Sequence, residues 1–226
     1  MDYSIYLILS LAVVILSLWA QNSVKSTYAK YSKVRSKRGY TGAAIAHNIL
    51  MKNNITDVRV GQIKGTLTDH YSPKEKIIRL SEGVHDSDSV AAIGIAAHEA
   101  GHTCQHYQNY LFIKLRNAVL PVAQIGSTAA IPLVILGVAL SFGFLVEIGV
   151  WVFFAVVLFQ LITLPVELNA SNRAMKVLRE SNYLDEEELK GTRKVLTAAA
   201  MTYVVALASS LVQFLRILSI ANRRRR

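Results

Sequence analysis

Four long apolar stretches constrain this chain more than any other feature of its sequence. Tyr3–Ala20, Val119–Phe142, Leu145–Pro165 and Val195–Ile220 each run eighteen residues or more with almost no charge. A bilayer core about 30 Å thick needs roughly twenty apolar helical residues to cross it. Lipid offers no partner to a backbone N–H or C=O, so such stretches must satisfy themselves as helices. The expectation is a mainly α integral membrane protein with three to four transmembrane helices. The first stretch reads as a retained anchor: Met1-Asp2-Tyr3 is not basic, and Leu18-Trp19-Ala20 is a poor cleavage site. The fourth stretch is ambiguous, either a further span or a helix lying in the interface.

Charge gives the expected orientation. The net charge is +10 over 226 residues, with six cations between Lys25 and Arg38 and four at Arg223–Arg226. Nucleic-acid binding is one reading of such a balance. The clusters flank apolar segments and lack interleaved aromatics, which fits juxtamembrane anchoring instead. The run at 25–38, with Lys114 and Arg116 before the middle pair of spans and Arg173 and Lys176 after it, favours the cytoplasmic side for all three flanks. A fourth span would carry Arg223–Arg226 outside, against that bias. The lone cysteine, Cys104, excludes an internal disulfide and reads as a small core residue.

Between the spans the pattern changes. Thr41 to Asn53 has Ala44, Ile45, Ile49 and Leu50 at helical spacing, with Thr41 as a cap. Short strands are expected at Val58–Ile63, at Thr66-Leu67-Thr68 and at Ile77–Leu80, punctuated by Gly65 and Ser72-Pro73. Asp86–Ser89 supplies caps for a helix reaching about Tyr107, whose upstream half is small: Ala91, Ala92, Gly94, Ala96 and Ala97. Residues 183–194 are charged and begin another helix.

The first of the two long cytoplasmic segments carries the chemistry. His98-Glu99-Ala100-Gly101-His102 spells H-E-x-x-H on the expected helix. Residues four apart share a helix face, so two imidazoles can grip one Zn²⁺, while Glu99 sits where it can serve as general base. The bland alternative is a chance match on a charged helix. A third protein ligand is needed. A further histidine ten residues after His98 is absent, since position 108 is glutamine. His106 lies two helical turns from His98, roughly 12 Å, too far to share one ion. Glu167, just past Pro165 at the end of the third apolar stretch, is the best candidate; a solvated carboxylate at a helix end is its alternative.

Several runs together resemble a known family. They are Gly65 through Pro73, Arg79-Leu80-Ser81, Ala96 through His102, Thr163 through Glu167, Ala170 through Ala174, and Ala199 through Tyr203. In this order they resemble the bacterial YugP-type membrane zinc metallopeptidases, and more distantly the membrane gluzincins of the HtpX and Ste24 type. The resemblance implies a zincin-like α+β catalytic part with a small β-sheet. It also implies one catalytic Zn²⁺ on His98, His102 and Glu167, and peptide hydrolysis with Glu99 moving the proton. In those relatives an aspartate commonly stands four residues after the glutamate; here that place is Ser171, which cannot orient a histidine as a carboxylate does.

Other residues are open. Asp69, His70 and Tyr71 either support a ligand or touch substrate, Asp69 as the histidine's partner, or they only form a turn. Ser171 and Arg173 belong to the same group of candidates. Tyr203 is either an oxyanion donor or a packing residue. The strand Lys76–Leu80 either pairs with substrate along its edge or closes a plain hairpin. The expected organisation is an anchor at 1–22, a cytoplasmic zincin-like part at 23–118, a transmembrane hairpin at 119–165, a cytoplasmic segment with the third ligand at 166–194, and a C-terminal hydrophobic helix with a basic tail at 195–226. The expected function is a multi-pass peptidase of the bacterial plasma membrane, active near the cytoplasmic face. Its partners are a peptide or protein substrate, the bilayer and a possible membrane protein, with no nucleic acid. A catalytically silent adaptor that binds peptide segments is the alternative.

Overall fold

The computed structural model describes residues 3–224, so Arg225 and Arg226 of the basic tail lie outside the described residues. Ten elements follow in order: α1 (Tyr3–Tyr31), α2 (Gly42–Lys52), β1 (Arg59–Ile63), β2 (His70–Ser72), β3 (Ile77–Ser81), α3 (Glu82–His85), α4 (Val90–Tyr107), α5 (Leu111–Ala139), α6 (Gly143–Glu180) and α7 (Glu186–Arg224). They form two compact units.

The first unit takes residues 1–20, 111–165 and 201–226. All four long helices, α1, α5, α6 and α7, are long and apolar enough to cross a membrane. Within this unit α5 and α6 pack through small residues. A Cβ on Gly126 would strike the Val152 carbonyl oxygen, and one on Gly149 would meet the side chain of Val134 at 2.5 Å. Such close backbone approach is how helices associate where no hydrophobic effect acts between them. A small core of Ala130, Val134, Val146, Phe153, Val157 and Ile217 fills the contact. Many large apolar side chains point outward, among them Leu11, Ile125, Ile135 and Trp151, as a lipid-facing surface requires.

The sequence reading needs three adjustments here. α5 begins at Leu111, eight residues before the expected start. Pro165 does not end the third apolar helix, since α6 continues through it to Glu180. The fourth apolar stretch belongs to a continuous helix that starts at Glu186.

The second unit takes residues 21–110 and 166–200. Its three-stranded sheet has the order β1-β3-β2. β1 runs parallel to β3, with Val60 opposite Ile78, and β2 runs antiparallel to it, with Tyr71 opposite Ile78. β3 is therefore the central strand. Of the two readings of Lys76–Leu80 the structural hairpin, formed with β2, is the one present, while edge pairing with substrate is not available. The expected strand at 66–68 is instead a turn. Gly65 has φ +110° and Leu67 φ +57°, and the Thr68 hydroxyl donates back to the Lys64 carbonyl. The strand forms a few residues later, at His70–Ser72.

Capping explains the helix limits. Thr41 and Ser89 accept from the N–H of Ala44 and Ala92, each at 3.2 Å. Asp185 and Glu188 form a reciprocal capping box at the start of α7, each side chain accepting from the other's backbone N–H. Asn54, Asn109 and Asn182 hold φ of 51–56° just past α2, α4 and α6. The next N–H in each case returns to a carbonyl five residues back: Ile55 to Leu50, Tyr110 to Gln105, Tyr183 to Leu178. These are left-handed helix stops with asparagine in the usual place of glycine.

Part of the basic run is structural. Arg35 pairs with Asp88 at 2.7 Å and Lys37 with Asp185 at 2.6 Å, which ties the 32–41 segment to the starts of α4 and α7. The core behind the sheet gathers Ile45, Leu50, Ile78, Leu80, Ile93, Leu178 and Leu196 around the small face of α4. Leu178 is fully buried there. Leu178→Ala should lower stability by about 2–5 kcal/mol, read from thermal unfolding of the full chain in detergent. A loss under about 1 kcal/mol would show that the 166–180 segment is not part of this core.

Candidate metal centre

Two histidines reach one point because α4 is helical through them. His98 and His102 lie on one face, their Nε2 atoms 3.1 Å apart. Glu167, on the part of α6 that belongs to the same unit, places Oε2 3.4 Å from each of those nitrogens. The three side chains are nearly shielded, with 15%, 12% and 6% of their surfaces exposed. The donor atoms thus form a triangle with edges of 3.1–3.4 Å. Ligands at ~2.0–2.1 Å from a tetrahedral zinc stand about 3.3–3.4 Å apart. Two neutral nitrogens and one carboxylate oxygen at this spacing suit a single zinc ion and leave a fourth position for water or substrate.

What lets α6 come so close is the glycine inside the motif. A Cβ at Gly101 would sit 2.8 Å from the Ala170 carbonyl oxygen. The two backbones therefore touch one residue before His102 and three after Glu167. Ala170 and Ala174 are fully buried on the facing side.

Each imidazole is held by its second nitrogen. The His98 Nδ1 lies 3.1 Å from the Ser171 hydroxyl, and the His102 Nδ1 lies 3.0 Å from Gln105 Oε1. With Nε2 turned to the metal, Nδ1–H donates in both pairs, which fixes tautomer and ring orientation. Ser171, one of the candidates named above, thus stands behind His98 with a neutral hydroxyl oxygen at 3.1 Å where a carboxylate would bind the ring more strongly. Gln105 is fully buried. Its amide donates to the Val166 carbonyl at 2.8 Å and to Asn169 Oδ1 at 2.9 Å. Arg173 in turn donates to Asn169 at 2.7 Å and to Gln108 at 2.6 Å. Gln105 and Asn169 were missed from the sequence. The one available signal was that Gln105 stands three residues after a ligand, on a neighbouring face of the same helix.

Glu99 is nearly buried, and its charge reaches the His102 ring. Burial alone lowers the basicity of that ring, but the Glu167 carboxylate, then Glu99, outweigh it and raise the metal-free imidazole above its ordinary value.

The other candidates lie elsewhere. Asp69 accepts from the Ser81 N–H at 2.7 Å and from its hydroxyl at 3.0–3.1 Å, so it braces the end of β3, and no described bond joins it to a histidine. His70 Nδ1 sits 2.9 Å from the Thr68 carbonyl. Tyr71 packs edge-on to His106, ring centres 5.9 Å apart, and its hydroxyl is buried with no hydrogen-bond partner among the described residues. Cys104 is buried in the core. Tyr203 belongs to α7 within the first unit.

Gln105→Leu keeps the volume near His102 but removes its acceptor and the link to α6. Zinc affinity should fall about 10–100-fold, measured by competition with a chromogenic chelator. Unchanged affinity would mean that His102 is oriented by something else.

Comparison with known proteins points the same way. Residues 6–222 match the family described as "Putative neutral zinc metallopeptidase". The chain is 44% identical over 216 residues to the Bacillus subtilis (strain 168) protein described as "Putative membrane protease YugP", an alignment that covers 96% of each chain. No solved structure matches it. From residue 6 to residue 222, this chain belongs to the family of neutral zinc metallopeptidases.

Proposed function

We propose that this protein is a zinc-dependent endopeptidase of the bacterial plasma membrane, with its site near the cytoplasmic face. The observation that carries the reading is the triangle of His98, His102 and Glu167, standing beside a nearly buried Glu99 on the same helix. Zinc held by those three residues would supply a water acidified toward neutrality and a Lewis acid for the scissile carbonyl. Glu99 would take the proton from that water on its carboxylate and hand it to the departing amine. Ser171 and Gln105 keep the two imidazoles in the tautomer that turns Nε2 inward. The low exposure of Glu99 and of the three ligands limits bulk water, which strengthens each charge interaction at the site.

Sidedness rests on charge. The Lys25–Arg38 run, Lys114, Arg116, Arg173 and Lys176 all flank the candidate spans on what would be one side. If α7 crosses as well, Arg223–Arg226 reach the outer side, and the bias is outvoted there by three earlier signals.

A silent adaptor would keep the fold without the proton carrier. Retention of Glu99 next to a complete ligand set favours turnover. Glu99→Gln should bind zinc like the parent and lose cleavage of an unstructured test protein by about 10²–10⁴-fold. Parental cleavage by that variant would remove the mechanism. Glu167→Ala should come through purification with little zinc by elemental analysis; full occupancy would strike Glu167 from the ligands. A membrane-impermeant chelator should stop cleavage in inside-out vesicles and spare it in right-side-out ones, and the reverse pattern would invert the topology.

A further inference from the structure

On a face of α4 next to that of the two imidazoles, the second unit has an open cavity. It lies between α2, α4 and residues 166–180 of α6 and measures about 740 Å³ including its mouth. Its wall includes Gly101 and Cys104, so the helix that carries the zinc motif on one face forms the cavity with another. Ile49, Ala97 and Val177 make it partly apolar.

The charged residues of the wall are Lys52, Arg173, Lys176 and Glu180. Three cations against one carboxylate leave an excess of two positive charges. Glu180 offsets Lys176, at 3.8 Å. Among the described residues, Lys52 is bonded to a neutral hydroxyl, that of Ser181 at 2.9 Å. Arg173 is the unusual member. Its Nε and NH1 are spent on two neutral amide oxygens, Asn169 Oδ1 and Gln108 Oε1. No carboxylate pairs with it among the described residues. A half-buried guanidinium held rigidly from behind and left without a counter-charge is pre-organised for an anion, because its planar fork loses little freedom on binding one. The charge excess matches a phosphate group, which carries about −1.5 to −2 near neutral pH.

We propose that this cavity is a binding site for a phosphate-type anion, anchored on Arg173 with Lys52 and Lys176 at its rim. The inference stands apart from the peptidase reading, since it needs neither zinc nor turnover. Two sources offer phosphate oxygens to these cations: a soluble phosphate or phosphate monoester, which matches the charge excess, and the phosphodiester headgroup of an anionic lipid, which carries one negative charge.

The test uses zinc-stripped full-length protein in nanodiscs, so that phosphate cannot act at the metal. One arm holds neutral phosphatidylcholine discs and adds inorganic phosphate, with chloride at equal ionic strength as reference. The other arm replaces part of the lipid with phosphatidylglycerol. The melting temperature is read in each. A rise with inorganic phosphate points to a soluble anion, and a rise confined to the phosphatidylglycerol discs points to a lipid headgroup. In either case the rise should vanish in Arg173→Met and shrink in Lys52→Gln/Lys176→Gln. The double variant leaves the bonds to Asn169 and Gln108 intact, so it reports on the site even if Arg173→Met folds poorly. No rise in either arm overturns the proposal. So does a rise that persists undiminished in the double variant, since that would be a general effect of the salt or the lipid on the fold.

Discussion

The contact of α4 with α6 at Gly101 and Ala170 is what the rest of the site depends on. Zinc chemistry needs three donor atoms within a few tenths of an ångström of a fixed triangle, yet the third donor is 65 residues from the second in the chain. Side chains as short as glutamate and histidine meet only if their helices nearly touch. Gly101 removes the one Cβ that would strike the Ala170 carbonyl, and the alanines around it keep the interface thin. The same economy of volume recurs further up α4, where a Cβ on Gly94 would meet Thr192 of α7 at 2.7 Å. α4 is thus small on the faces that meet α6 and α7, and it keeps its polar residues for the site. Close packing of this kind has two discrete outcomes, fitted or parted, because interiors transmit strain rather than absorb it.

Much of this was legible in the sequence because the signals were local. Caps at Thr41 and Ser89, the spacing of the two histidines, the uncharged stretches and the small upstream half of α4 each depend on residues within a few positions. Glu167 could be picked out because few carboxylates lie beside an apolar stretch. The readings that failed turned on longer-range facts. Pro165 looked like a helix end because proline lacks the N–H of an interior turn. α6 runs on, since in long apolar helices neighbouring groups can satisfy the freed carbonyl. The order of the strands was illegible, because nothing local tells a central strand from an edge. The part of Gln105 and Asn169 was illegible for the same reason, since the bonds from Gln105 to Val166 and Asn169 span 61 and 64 residues. Ser171, which meets His98 across 73 residues, was a candidate only through the family resemblance.

Buried polar groups usually mark either a cost or a function, and here the accounting separates the two. Gln105 is fully buried, yet both ends of its amide are satisfied, so it rigidifies rather than destabilises. Asp69 spends its carboxylate on Ser81, which fixes the turn from β3 into α3. The Tyr71 hydroxyl has no such partner, and its ring contact with His106 accounts for the position of the ring but not for the phenol.

The partners of the two imidazoles also bear on how acidic the centre can be. A carboxylate behind a histidine pulls on the Nδ1 proton and makes Nε2 a stronger donor to metal. Here the acceptors are a serine hydroxyl and a glutamine carbonyl, both neutral, so each imidazole gives less charge to the ion. Glu167 would then be the one anionic ligand, and in the proposed mechanism the other nearby carboxylate, Glu99, carries the proton. In the proposed peptidase, a centre with two weakly backed imidazoles and one carboxylate would keep more of the ion's positive charge for water and the scissile carbonyl. The cost is weaker retention of the metal. The low exposure of the three ligands and the tight seam at Gly101 would oppose that loss. A hydroxyl rather than a carboxylate behind His98 would therefore shift the proposed centre's balance between holding zinc and exploiting its charge.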